Sequence, residues 1–171
     1  MKLLKRKSDD KLRAASEHIH YEIIMLHHTM ISILQCEVPA DRNAMLESYA
    51  IHVRNLIEFI REPTGGSYVR AVDYLNDDQL KEWRNIVASH KLEFDEAWKK
   101  ASEQVAHLTY QRTNYIGVKK AWKLDYCFTI NACLSRWVEL IPSERVIPGM
   151  KGLVMHFQEN KDWLKRKIRP G

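Results

Sequence analysis

The stretch from Asp9 to Gln35, DDKLRAASEHIHYEIIMLHHTMISILQ, contains neither glycine nor proline. Its apolar residues Ile19, Ile23, Leu26, Met30, Ile33 and Leu34 recur three or four positions apart, which on a helix gathers them into one stripe. The Val38-Pro39 step breaks the pattern, because the residue before a proline is disfavoured in the α region. A helix of this span is roughly 40 Å long at about 1.5 Å per residue, more than the body of a small bundle. The surplus predicts packing against a second copy of the chain, a homodimer.

Working outward, Asp41 is a suitable cap for a second helix to about Glu62. Its stripe is Met45, Tyr49, His52, Val53, Leu56 and Ile60, with Leu46 and Phe59 on the shoulders. Pro63-Thr64-Gly65-Gly66 stops it. Residues 67–75 read as a loop with Tyr68, Val72, Tyr74 and Leu75 tucked in. Asn76, with Gln79 three positions on, reads as a capping box for a third helix to about His90. A fourth helix is expected from about Glu93 to Arg112, and Gly117 marks the loop after it. A fifth runs from about Lys120 to Leu140 on the stripe Trp122, Tyr126, Ile130, Cys133, Leu134, Trp137 and Ile141. Beyond Pro142, Pro148 and Gly149, one last amphipathic helix carries Met150, Leu153, Val154, Phe157 and Trp163. The expectation is an all-α, up-down helical bundle of four to five main helices plus a C-terminal helix. It forms a single domain, 1–171, with its core at about 9–160 and basic termini at 1–13 and 161–171.

An apolar content of 45% with 29% charged residues is that of a globular chain. The longest run free of Asp, Glu, Lys and Arg, Ile23 to Cys36, contains two histidines and falls short of the roughly 18–20 apolar residues a membrane helix needs. The basic N-terminus has no apolar segment behind it, as a signal peptide would. Cys127 and Cys133 lie about 240° apart around one helix and cannot pair with each other, and Cys36 stands alone. Together these features predict a cytoplasmic protein with reduced thiols and no membrane span. Formal charge is +5, but residues 1–13 and residues 161–171 each carry +4, which leaves −3 for the body. Such ends contact phosphate backbones or an anionic surface, or are solvated termini.

Glu17-x-x-His20 has the spacing of carboxylate-bridged di-iron bundles. The second copy such a site needs is absent, because Glu103 and His107 are one residue too far apart. No metal site and no cofactor are expected. The chain has no Gly-x-Ser-x-Gly and no phosphate-cradling glycine loop. On the second helix, Arg54 and Glu58 are spaced to pair, while Ser48, His52 and Asn55 lie along one side of the apolar stripe. His52 is either a helix-packing histidine or the rim of a polar cleft. The fourth helix places Phe94, Ala101, Val105 and Leu108 on one side, and Arg112 falls on that side too. A buried guanidinium without partners costs several kcal/mol, so Arg112 either lines a cleft or pairs inside, with Glu47 or Asp73. Histidine and arginine without a metal suit attack by a ribose 2′-hydroxyl on the adjacent phosphate. His107 would be general acid and base, Arg112 would stabilise the developing charge, and Arg54 and Asn55 would position the substrate.

The run Met45-Leu46-Glu47-Ser48-Tyr49-Ala50-Ile51-His52-Val53-Arg54-Asn55-Leu56-Ile57-Glu58-Phe59, with Val105-Ala106-His107-Leu108-Thr109-Tyr110-Gln111-Arg112 after it, resembles a group of small bacterial all-helical proteins. These look like relatives of the HEPN superfamily (higher eukaryote and prokaryote nucleotide binding), and the resemblance covers roughly residues 15–140. It implies a dimerising bundle and, in many members, metal-independent ribonuclease activity serving toxin or phage-defence systems. The superfamily pattern is an arginine followed by a polar residue, then a histidine after four to six positions. Arg84-Asn85 with His90 fits it, and Arg13 with His18 or His20 fits the spacing. The segment carrying His107 has no upstream arginine, leaving Arg54 or Arg112 to supply one. Three readings follow: an RNA-binding protein and metal-free endoribonuclease whose basic termini hold the RNA; a non-catalytic interaction module, such as a dimeric adaptor or a toxin-system component that binds an antitoxin; and a metal bundle built on Glu17 and His20.

Overall fold

In the computed structural model, which describes residues 7–62, 67–103 and 122–168, the stretch from Asp9 to Gln35 is one helix, α1 (Asp9–Gln35). Its cap is Ser8, whose hydroxyl accepts from the Lys11 amide. The other helices are α2 (Pro39–Arg61), α3 (Leu80–Ser89), α4 (Lys91–Ala101), α5 (Tyr126–Leu140), α6 (Met150–Glu159) and α7 (Lys161–Ile168). Short 3-10 turns lie at Ala71–Tyr74 and Ser143–Arg145, and no strand occurs among the described residues. The fold is an all-α helical bundle.

α2 is central, packing against α1, α4 and α5, while α6 lies on α5. It begins at Pro39 and not at Asp41. Proline has no N–H to leave unsatisfied and is pre-set for the first helical position. The hairpin from α1 is tied by Arg42, whose guanidinium donates to the Cys36 carbonyl. α2 ends at Glu62, which adopts a left-handed conformation (φ 58°).

The stripes are buried nearly as read. Ile19, Ile23, Leu26 and Met30 from α1 meet Tyr49, Val53, Leu56 and Ile60 from α2 and Ile130, Leu134 and Trp137 from α5. Leu34 is an exception, standing exposed at the end of α1. The segment after α2 closes one end of the core. Val72, Tyr74 and Leu75 are buried there, whereas Tyr68 is exposed. Tyr74 donates to the Leu12 carbonyl at 2.9 Å, and Trp137 Nε1 donates to the Ala71 carbonyl at 3.2 Å.

Further boundaries differ from the sequence reading, and α4 starts at Lys91, two residues before Glu93. The third helix starts at Leu80, after a turn in which only half of the capping box forms: the Asn76 backbone N–H donates to Gln79 Oε1, and the Gln79 side-chain Nε2 donates to the Leu140 carbonyl. The fifth starts at Tyr126. The single C-terminal helix is two, because the Asn160 side chain donates to the His156 carbonyl at 2.8 Å and closes α6 before α7 begins. The described helices therefore number seven, against the six expected.

The N-terminal basic segment, where described, belongs to the body and is not a loose end. Lys7 Nζ lies 2.8 Å from Asp73, and Arg13 donates to the Glu144 carbonyl at 2.8 Å. Ser16 receives the Ile147 amide, so the start of α1 pins the turn between α5 and α6. Arg13 is occupied by this anchoring, which accounts for it without a site at His18 or His20.

Candidate functional site

His52 sits on the inner stripe of α2, and a buried imidazole there needs a partner. The partner is Glu22 on α1, whose Oε2 lies 2.7 Å from His52 Nδ1. The other oxygen, Oε1, receives Asn55 Nδ2 at 3.2 Å. Tyr21 places its ring edge-on to His52, with centroids 6.0 Å apart. A carboxylate held at both oxygens thus fixes the imidazole from one side. With Nδ1–H donated to Glu22, the ring's basic lone pair is on Nε2. The same geometry orients a general base, and it satisfies a packing histidine equally well.

Arg54 lies on the other flank of α2, about 160° around an ideal helix from His52. It donates to Glu58 Oε1 at 2.9 Å, and Trp98 Nε1 on α4 donates to that oxygen at 3.0 Å. The guanidinium is 5.9 Å from the Trp98 ring. The Arg54–Glu58 pair read from spacing is present, with Trp98 as an added member. It opens on a cleft of about 500 Å³ that Arg61, Glu62, Tyr68 and Asp95 also line. Its cations are matched by carboxylates: Arg54 bonds Glu58 and Arg61 bonds Asp95, and just outside it Lys91 also bonds Asp95 and Arg84 reaches Glu62 at 3.3 Å.

Arg84 and His90 have different partners. Arg84 turns to Glu62 at the end of α2, whereas His90 caps α3 and approaches Glu93, 3.6 Å away. Asp73, one proposed partner for Arg112, is already held by Arg70 and Lys7. Burial pushes its carboxyl up, but these two cations more than offset that and hold it below the ordinary range. His107 and Arg112 lie outside the described residues, so the structure brings Asn55 to His52 and leaves those two aside.

Cys127 and Cys133 are buried free thiols, and burial raises both, Cys133 to about 12. They are therefore not poised as nucleophiles. Among the described residues no three His, Cys, Asp or Glu side chains gather as a metal site, and no helix is long and apolar enough to cross a membrane. Glu22 is the functional candidate that the sequence reading missed. Its signal was indirect: a histidine in a buried stripe demands a polar partner from the facing helix.

No family model matches the chain, no curated protein is similar to it, and no solved structure matches it.

Proposed function

We propose that the chain is a HEPN-like cytoplasmic RNA-binding protein that cleaves RNA without a metal, as a component of a toxin or phage-defence system. The carrying observation is the imidazole of His52 held at Nδ1 by Glu22, with Asn55 on the second oxygen of that carboxylate. In the proposed step, His52 Nε2 takes the proton from a ribose 2′-hydroxyl. The 2′ oxygen attacks the adjacent phosphorus, and the bond to the 5′ oxygen breaks. The leaving 5′ oxygen takes up the proton, giving a 2′,3′-cyclic phosphate and a 5′-hydroxyl. His107 is the alternative acid and base. Charge on the phosphorane falls to Arg112, because Arg54 lies on the opposite flank of α2 and is bonded to Glu58.

One observation favours a second reading, the non-catalytic dimeric or adaptor module. Tyr21, edge-on to His52, and Ile51, one turn before Asn55, are 55% and 47% exposed beside the Glu22–His52 pair. A second copy or an antitoxin seated there would cover them, with Glu22 and His52 as packing groups.

Incubation with tRNA in EDTA separates the readings. His52→Gln is expected to lower the cleavage rate about a hundredfold or more, the scale of a general acid–base contribution. Glu22→Gln should follow in the same direction, with His107→Ala and Arg112→Ala run alongside. A folded wild type that leaves tRNA intact would favour the interaction module.

A further inference from the structure

Two of the three described cations at the start of the chain are occupied, Lys7 by Asp73 and Arg13 by a carbonyl. The C-terminal end differs. α7 carries Lys161, Lys165, Arg166 and Lys167 against Asp162 alone, and among the described residues none of the four enters an ion pair. Leu164, 3% exposed, anchors the helix, and Lys165 lies 5.5 Å over the Phe128 ring of α5. Trp163 stays 48% exposed, with Lys167 Nζ 5.8 Å from its ring. Trp163, Arg166 and Lys167 occupy positions i, i+3 and i+4 and therefore share one face.

Beside that face is a cleft of about 270 Å³ between α1, α6 and α7. Ile31, Phe157 and Leu164 line it, His156 and Asn160 supply polar groups, Trp163 forms a wall, and no acidic residue takes part. The larger cleft at Arg54 is the opposite case, with its cations bonded to carboxylates.

We propose that α7 and this cleft are a docking surface for single-stranded nucleic acid, with one base against Trp163 and the flanking phosphates on Arg166 and Lys167. The assignment rests on the RNA reading above and adds the place where the strand is held. Unpaired cations exchange counterions for phosphates at little desolvation cost, and an exposed indole stacks any base. A lipid surface is the poorer fit, because Leu164 turns into the core and Trp163 alone is left to enter a bilayer interface.

The test is fluorescence anisotropy of a labelled, 2′-O-methylated single-stranded RNA that cannot be cut, titrated over a range of salt. Trp163→Ala is expected to raise Kd about five- to a hundredfold, while Trp163→Phe keeps most of the affinity. Arg166→Gln with Lys167→Gln should flatten the slope of log K against log salt by about 1.4, at about 0.7 for each phosphate no longer neutralised. These side chains are exposed, and circular dichroism verifies that each variant is folded. If the wild type binds and these variants bind equally with the same slope, the α7 assignment is overturned while the RNA reading stands. No binding by the wild type overturns both. Binding to phosphatidylglycerol vesicles without binding to the oligonucleotide overturns the nucleic-acid assignment in favour of a lipid surface.

Discussion

Trp137→Ala is expected to lower the free energy of unfolding by about 3–5 kcal/mol, the range for removing a fully buried large aromatic. Trp137 is fully buried in the core. Its ring meets Phe59 edge-on at 5.1 Å and Tyr74 at 5.2 Å. Its indole N–H holds the Ala71 carbonyl, so the truncation also removes the donor from a buried acceptor. Three elements therefore lose support together: α5, α2 and the 3-10 turn that closes the core. Melting should move down by about 6–20 °C, at roughly 2–4 °C per kcal/mol for a domain of this size. Trp137→Phe, which keeps an aromatic ring but not the donor, should cost less than half as much. Urea unfolding of the pair checks this. Losses below about 1 kcal/mol for Trp137→Ala would contradict the packing described.

The second large effect is acid destabilisation through His27. This side chain is buried and stacks flat on Phe157, with ring centroids 3.5 Å apart. Neither ring nitrogen has a hydrogen-bond partner among the described residues. Burial lowers its pKa from 6.5 to about 4; neighbouring Asn131 offsets part of that drop, and the charge of His156 adds to it. A lowered histidine pKa means that the unfolded chain takes up the proton first. Stability from this group is therefore complete above pH 6.5 and is lost as the pH falls toward 4. At about 1.36 kcal/mol per unit the loss reaches about 3 kcal/mol by pH 4. His27→Phe should flatten that part of the profile. Equal losses in wild type and variant between pH 7 and pH 4.5, read by urea unfolding, would show that His27 is not the group responsible.

Much of the fold was legible because local rules and packing agree. α1 begins at a serine cap and ends before a proline, and its stripe needs no tertiary information to be read. The misreadings came where a polar side chain, near or distant, decides a boundary. Gln79 is engaged with the Leu140 carbonyl of α5, and Asn160 folds back on His156 to divide the last helix. Neither is visible in apolar periodicity. The candidate site shows the same division. Arg54 and Glu58 are four apart on one helix, so their pairing could be read. Glu22 and His52 meet only because α1 and α2 pack as an antiparallel hairpin, and that register is a tertiary fact. The Arg84–His90 pattern matched the superfamily in spacing, yet the two residues have different partners. Spacing along the chain carries no information about which neighbour each side chain meets.

A carboxylate-held imidazole that cleaves without a metal depends on the 2′-hydroxyl of the strand it cuts. The most direct measurement is cleavage, in EDTA, of a single-stranded RNA against the same sequence in 2′-deoxy form, with analysis of the new ends. The RNA is expected to be cut to 2′,3′-cyclic phosphate and 5′-hydroxyl ends, and the deoxy strand is expected to survive. Cutting of both strands, cutting only on addition of a divalent metal, or survival of both in the presence of folded protein would contradict that mechanism.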